Sequence, residues 1–207
     1  MHDTALIAGS IFAELYGGKN KVVLDIGGKN INGSLRPIFE SLGMKYICLD
    51  IEQHSSVDII MKPGDKLPFD NASVDLIVST SCFEHDPCFW LTFKEMTRIL
   101  KVDGFIYVNA PTKGPYHGCP GDNWRFYSDA GQALAYYSGF QYTNEEVFPV
   151  KVIETFHIVP SVWFDFVCIW GRTDTKDTNI TVSIEVSQNI GILEQKLNLN
   201  YKTVKKC

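Results

Sequence analysis

V-V-L-D-I-G-G-K-N-I-N-G, residues 22–33, is the stretch whose reading decides the fold. Five residues of strand-forming, mostly apolar character carry one acid, Asp25, and run straight into Gly27 and Gly28. Ser34 and Pro37 then suit the first turn of a helix, the serine as a cap and the proline where its missing N–H costs nothing. A buried strand that turns on glycines into a helix brings bare backbone and unpaired N–H groups up to a ligand. The next apolar stretch, K-Y-I-C-L-D (45–50), ends in Asp50, where a carboxylate accepts hydrogen bonds from ribose hydroxyls. Together these features describe a nucleoside-binding crevice at the carboxyl edge of a parallel sheet.

The rest of the chain fits around that unit. Ile7, Ile11, Phe12 and Leu15 have helical spacing over residues 4–16, and Gly17-Gly18 ends the segment. Short strands are expected at 57–60, 74–79 and 105–109. Between the last two, Asp86-Pro87 reads as a helix start, with Phe89, Phe93, Met96 and Leu100 as its buried face. A loop rich in Gly, Pro and His follows to about Asn123, then a helix over 128–138, strand-like patterning from Phe140, and an aromatic strand over 164–171. Strands alternating with helices imply βαβ units and an α/β architecture. One domain is expected over residues 1–172. The remainder, 173–207, reads as an extension rich in Thr, Asn and Lys, with an added strand at Thr181–Val186 and weak order beyond Asn189.

Composition narrows the classes. A net charge of -5 with no Lys/Arg block argues against nucleic acid as partner. No apolar run reaches the roughly 20 residues of a membrane span, and the N-terminus lacks the basic start and apolar stretch of a signal peptide. The six cysteines contain no C-x-x-C pair and several sit in apolar stretches, the pattern of buried thiols in a reducing, cytoplasmic setting. The dinucleotide fingerprint G-x-G-x-x-G fails, because counting from Gly27 its second glycine falls on Lys29.

Four segments carry a resemblance: L-D-I-G-G-K-N-I-N-G-S-L-R-P (24–37), Y-I-C-L-D-I (46–51), L-P-F-D-N-A-S-V-D-L-I-V-S-T (67–80) and E-H-D-P-C-F-W-L-T-F-K-E-M-T-R-I-L-K-V-D-G (84–104). With them, the chain resembles the class I methyltransferases that use S-adenosylmethionine (SAM), in particular their type 11 group, over about residues 5–150. The resemblance implies a Rossmann-like fold with a mostly parallel, seven-stranded sheet flanked by helices. It implies SAM as cofactor and S-adenosylhomocysteine as product. Asp25, Gly27 and Gly28 would serve the methionine end, Asp50 the ribose and Ile51 the adenine, with Asn30 a further cofactor-binding residue. Asp65 is the candidate for the acid usually found before L-P-F, and Ser81 stands where many relatives have an acid. A fifth segment, P-G-D-N-W-R-F-Y-S-D-A (120–130), is similar to a subgroup acting in glycan and cell-surface biosynthesis, often beside glycosyltransferase domains or within a longer chain.

Methyl transfer to a hydroxyl needs alignment with the S–CH3 bond and loss of a proton. His85 follows the fourth strand and is the first candidate for general base, while Glu84 reads as a structural residue of the loop. His117 and Asp122 are further catalytic candidates, because a Gly/Pro loop has little need of them for packing. Trp124 reads first as packing and Arg125 as the partner of an acid. Were His85, Asp86, His117 and Asp122 to converge, they would suit a divalent ion, but their spacing matches no known ligand pattern and the sequence assigns no metal. The sequence therefore points to SAM-dependent O-methylation of a sugar hydroxyl. The competing readings are methylation of a small or lipid-like metabolite, with Trp163, Phe164 and Phe166 lining an apolar pocket, and a catalytically degenerate fold serving as an interaction module.

Overall fold

The computed structural model describes residues 3–118, 120–140, 146–159 and 164–174, with short pieces at 182–183, 185–188 and 205–206. Its elements are α1 (Asp3–Tyr16), β1 (Val22–Ile26), α2 (Arg36–Ser41), β2 (Lys45–Asp50), β3 (Ile59–Ile60), β4 (Val74–Thr80), α3 (Phe89–Ile99), β5 (Leu100–Lys113), α4 (Ala130–Ser138), β6 (Val150–Ile158), β7 (Phe164–Arg172) and β8 (Lys205–Lys206). The strands form one sheet in the order β3-β2-β1-β4-β5-β7-β6-β8. β3, β2, β1, β4 and β5 run parallel, whereas β7 is antiparallel to both β5 and β6. This is the expected Rossmann-like sheet of seven strands, with a two-residue eighth pairing Phe156 with Lys206.

Alternation along each strand divides the core between the two faces of the sheet. On one face Val23, Leu76, Val78 and Tyr107 pack against Phe12 and Tyr16 of α1 and Phe39 of α2. On the other, Leu24, Ile77, Ile106 and Trp170 pack against Phe93 and Met96 of α3 and Leu134 of α4. Being apolar on both faces, the central strands read as nearly unbroken hydrophobic runs. Phe93 is fully buried, edge-on to Trp170 at 4.9 Å between ring centroids. Phe93→Ala is expected to cost roughly 3–5 kcal/mol, measured as a shift of the denaturation midpoint in urea.

Several local expectations change. Ser34 accepts from the backbone N–H of Arg36 at 3.1 Å, but α2 is capped at Leu35 without a side-chain bond. α3 begins at Phe89 rather than at Pro87. The turn before it is held by Asp86, which accepts from the Cys88 N–H at 2.8 Å and from the Thr92 hydroxyl at 2.5 Å. Where a strand was expected at 181–186, the described residues 182–183 and 185–188 are helical. Val182 and Val186 lie four apart, on one side of a helical turn, and both are fully buried in the α1 face of the core. The Glu154 carboxylate receives the Val182 N–H at 2.8 Å and the Ser183 hydroxyl, fixing that turn on β6. Trp163 lies outside the described residues. Phe156, Phe166 and Trp170 are all buried in the core, so the aromatic strand is interior packing. No helix among the described residues is long and apolar enough to cross a membrane, and Cys48, Cys82, Cys88 and Cys168 are free thiols.

The strand order reverses between β1 and β4, with β2 on one side of β1 and β5 on the far side of β4. Loops leaving the carboxyl ends of these strands diverge there and leave a crevice, the place where open α/β sheets bind ligands.

Candidate active site

A cavity of about 700 Å³ occupies that crevice, within the range of cofactor and small-ligand sites. Its wall takes residues from successive strand ends: Gly27 after β1, Asp50 and Ile51 at the end of β2, Asp65 after β3, Ser81, Cys82, Glu84, His85 and Asp86 after β4, and His117 after β5. Of the candidates from the sequence, Gly27, Asp50, Ile51, Asp65, Ser81, His85 and His117 thus share one cavity. Asp25, Gly28, Asn30 and Asp122 stand outside its lining.

The glycine loop is built as its sequence requires. Gly27 has φ +75°, a conformation costly for other residues, and a Cβ there would lie 2.3 Å from the Cys82 sulfur. Gly28 leaves room for Asp25, whose carboxylate would stand 2.3 Å from an added Cβ. Gly27→Ala is expected to lower stability by about 1–3 kcal/mol through strain and displacement of Cys82, read as a lower melting temperature. Asn30 shapes the loop, accepting from the Gly33 N–H at 3.0 Å through its side chain while its own N–H donates to Ser56. The Asp50 carboxylate accepts from the N–H groups of Lys29 at 3.1 Å and Glu52 at 3.2 Å, which aims it across the mouth of the loop. Asp65 is exposed and accepts from the Lys62 N–H at 3.2 Å, closing its own turn.

Asp25 lies beneath the loop at 2% exposure. One carboxylate oxygen accepts from the Tyr46 hydroxyl, and the other is buried with no hydrogen-bond partner. Burial pushes its pKa up to about 7, against the opposing Tyr46 hydrogen bond.

Beyond β4 the chain turns sharply. Ser81 has φ +50°, a strained conformation for a residue with a side chain, held by its N–H bonding to the Asn109 carbonyl at 2.9 Å. The turn delivers Cys82, Glu84 and His85 to the cavity. Burial keeps the Cys82 thiol well above its ordinary pKa, so it stays protonated. The segment 120–130 clamps this turn from above. Asn123 and Trp124 donate backbone N–H groups to the Glu84 carbonyl at 2.7 and 3.2 Å. The Asn123 side chain donates to the His85 carbonyl at 2.9 Å, and the Trp124 indole donates to the Asp86 carbonyl at 2.9 Å. Trp124 also packs edge-on against Phe89 and Trp90. Arg125 forms a two-pronged pair with Asp122, one arm at 2.7 Å, and that pairing holds the Asp122 carboxyl well below the usual range. Asp122 therefore acts on the loop rather than on the cavity: its carboxylate also receives the His117 N–H at 3.0 Å and stands 3.2 Å from His117 Nδ1.

His85 donates from Nδ1 to the Gly121 carbonyl, which fixes its tautomer and leaves Nε2 as the nitrogen with a lone pair. That nitrogen lies 3.7 Å from Glu84 Oε1, and His117 Nε2 lies 4.0 Å from the same oxygen. Glu84 is the residue that the sequence undervalued. Its backbone carbonyl does bind the loop, but its carboxylate is 1% exposed, borders the cavity and keeps one oxygen buried without a hydrogen-bond partner. Burial drives its pKa up to about 8. Asp165 of β7 is a second residue missed, buried on the cavity wall and accepting from the Thr4 hydroxyl at 3.0 Å. Neither was legible, since Glu84 looks like half of an E-H pair at a helix start and Asp165 comes from a distant strand.

Among known proteins, residues 24–108 match the family described as "Methyltransferase domain". No curated protein sequence matches the chain significantly. Solved structures share its fold. A 1,6-didemethyltoxoflavin-N1-methyltransferase from Burkholderia thailandensis is 16% identical, with 82% of this chain and 79% of that one aligned and a TM-score of 0.61. A SAM-dependent methyltransferase from Archaeoglobus fulgidus is 15% identical over 83% of this chain and 95% of its own, with a TM-score of 0.60. The [4+2]-cyclase SpnF is 10% identical over 83% and 81%, with a TM-score of 0.61. Residues 24–108 thus match a methyltransferase domain, and the chain shares the Rossmann-like fold of solved SAM-dependent methyltransferases, with a glycine loop, Asp50 and a cavity at the strand-order reversal.

Proposed function

We propose that this chain transfers the methyl group of SAM to a hydroxyl of a sugar or glycan acceptor. The observation that carries this reading is the asymmetry of this cavity. Gly27, Asp50 and Ile51 line it from the ends of β1 and β2, and Glu84, His85 and His117 from the loops after β4 and β5, on the other side of the strand-order reversal. A nucleoside suits the first side: Asp50 for the ribose, Ile51 against the adenine face, and Asp65 and Ser81 at the rim. The methionine end suits the loop of Gly27, Gly28 and Asn30, with the unpartnered Asp25 oxygen beneath it to meet the ammonium.

The acceptor end is polar and holds fixed nitrogens, which suits a hydroxyl more than an apolar substrate. In the reaction the acceptor O–H bond breaks, the oxygen forms a bond to the methyl carbon, and the carbon–sulfur bond breaks to leave a neutral thioether. The net product besides the two organic species is one proton, which the acceptor end must help to remove. His85 and His117 stand there as the groups that meet the hydroxyl, and Asp122 as the residue that positions His117. SpnF shares the fold and is a cyclase, so the fold alone does not define an activity. The acceptor-end groups are what support O-methylation here.

Incubation with methyl-labelled SAM and a panel of glycosides, nucleotide-sugars, phenols and amines tests this proposal. Label on a sugar hydroxyl is the expected result. Label confined to phenols or amines would remove the sugar reading while leaving the transferase. Binding of SAM without transfer to any class would favour an interaction module built on this fold.

A further inference from the structure

We propose that Glu84, His85 and His117 form a binding site for a divalent transition-metal ion at the acceptor end of the cavity. Their ligand atoms all lie within 4.8 Å of one another. Zinc-type ions bind imidazole nitrogen and carboxylate oxygen at about 2.0–2.2 Å, which sets such ligand atoms roughly 3–3.5 Å apart. The 3.7 and 4.0 Å separations from Glu84 Oε1 to the two Nε2 atoms are close to that before any side chain turns inward.

Three further observations favour an ion over a fortuitous cluster. Both imidazoles are held from behind at Nδ1, His85 by the Gly121 carbonyl and His117 by the Pro115 carbonyl at 3.3 Å, with the Asp122 carboxylate 3.2 Å away. That outer shell directs the Nε2 lone pairs inward and is the usual support of a metal-ligating histidine. Asp122 is itself locked by Arg125, so the carboxylate–imidazole pair is rigid. Glu84 keeps a buried oxygen without a hydrogen-bond partner, a cost that a cation relieves directly. The donor set, two nitrogens and a carboxylate, suits ions such as Zn²⁺ or Mn²⁺ better than the all-oxygen preference of Ca²⁺. Asp86 and Asp122, which the sequence offered as partners, are engaged by the Cys88 N–H and by Arg125. Glu84 takes their place.

All three ligands border the cavity, so the remaining coordination positions face the acceptor. A hydroxyl bound there becomes more acidic and releases its proton to solvent as its oxygen takes the methyl group. This role in the reaction rests on the methyl-transfer reading, whereas ion binding does not.

The test is calorimetric titration of the full, chelator-stripped chain with Co²⁺ or Zn²⁺ alone, without SAM or acceptor. Stoichiometric binding is expected, with the visible absorption of nitrogen- and oxygen-bound Co²⁺. Glu84→Gln and His117→Ala are expected to weaken it at least about a hundredfold, and Asp122→Asn about 10–100-fold. Thermal melts and SAM titrations of the same variants separate ligand loss from misfolding, and the isosteric Glu84→Gln carries the test should His117→Ala fail to fold. Ion affinity unchanged in folded Glu84→Gln, or no binding by the wild type at submillimolar ion, overturns the site. Loss of SAM binding in a wild-type chain that still takes up the ion would instead overturn the methyl-transfer reading.

Discussion

Asp25→Asn is expected to bind SAM on the order of a hundredfold more weakly than the wild type, with the fold retained. The substitution keeps the shape and still accepts the Tyr46 hydroxyl, but removes the charge that would meet the methionine ammonium. Loss of one partner of a buried charge pair costs about 2–5 kcal/mol, which corresponds to that range. The wild type should carry a pH signature that the variant lacks. Burial raises the Asp25 pKa from 3.8 to about 7 in the ligand-free protein, and the ammonium needs the ionised form. SAM affinity should therefore fall about tenfold per pH unit below 7. It should also fall above about pH 8, where the amino group of SAM loses its own proton. Stability moves the other way. An acid whose folded pKa lies above its unfolded value binds more protons when folded, so the ligand-free wild type loses stability as pH rises from about 4 to about 7. Relative to wild type, Asp25→Asn should gain stability over that window. Calorimetry across pH with thermal melts of both proteins checks the two trends. An affinity for SAM that is flat from pH 5 to 8 would remove Asp25 from the ammonium site.

His85→Ala is expected to lower turnover by roughly 10²–10⁴ while SAM affinity changes less than about twofold. The imidazole borders the cavity in the turn after β4, and its Nδ1 bond to Gly121 leaves Nε2 on the side of Glu84. Whether that nitrogen takes the acceptor's proton or holds an ion that acidifies it, its loss disables the step after SAM has bound. Single-turnover assays at saturating SAM, beside SAM titrations, separate the two effects. Turnover near the wild-type level would exclude His85 from the chemistry.

Much of this architecture was readable in residues 22–51 and 67–104. The strand before Gly27 and Gly28, the acid at Asp50 and the apolar face of α3 each follow from local rules that tertiary packing did not override. Errors fell where two local signals competed. Thr181–Val186 alternates like a strand, but burying Val182 and Val186 together favours the helical turn that Glu154 caps. Asp86-Pro87 has the chemistry of a helix start, yet Asp86 serves the turn before α3.

At the site, the placing of Gly27 and Asp50 on one cavity was legible because they are local to one loop and one strand end. The acceptor end was only half legible, since it joins the turn after β4 to a loop after β5. In the segment P-G-D-N-W-R-F-Y, Trp124 packs and Arg125 pairs with an acid as their residue types suggest, while the backbone of Asn123 and Trp124 clamps the turn that carries Glu84 and His85, which no local signal announces. Asp122 moves from catalyst to support for the same reason. Glu84, by contrast, gains a place because only three-dimensional packing reveals a buried carboxylate oxygen with nothing to bond it.

Calorimetric titration of the purified chain decides whether the crevice between β1 and β4 takes SAM rather than a dinucleotide. Saturable binding of SAM and of S-adenosylhomocysteine is expected, on the order of micromolar to submillimolar, about a hundredfold weaker in Asp25→Asn and weakened in Asp50→Ala, with no heat from NADH. Absence of SAM binding at millimolar ligand, or saturable binding of NADH, would contradict the SAM reading.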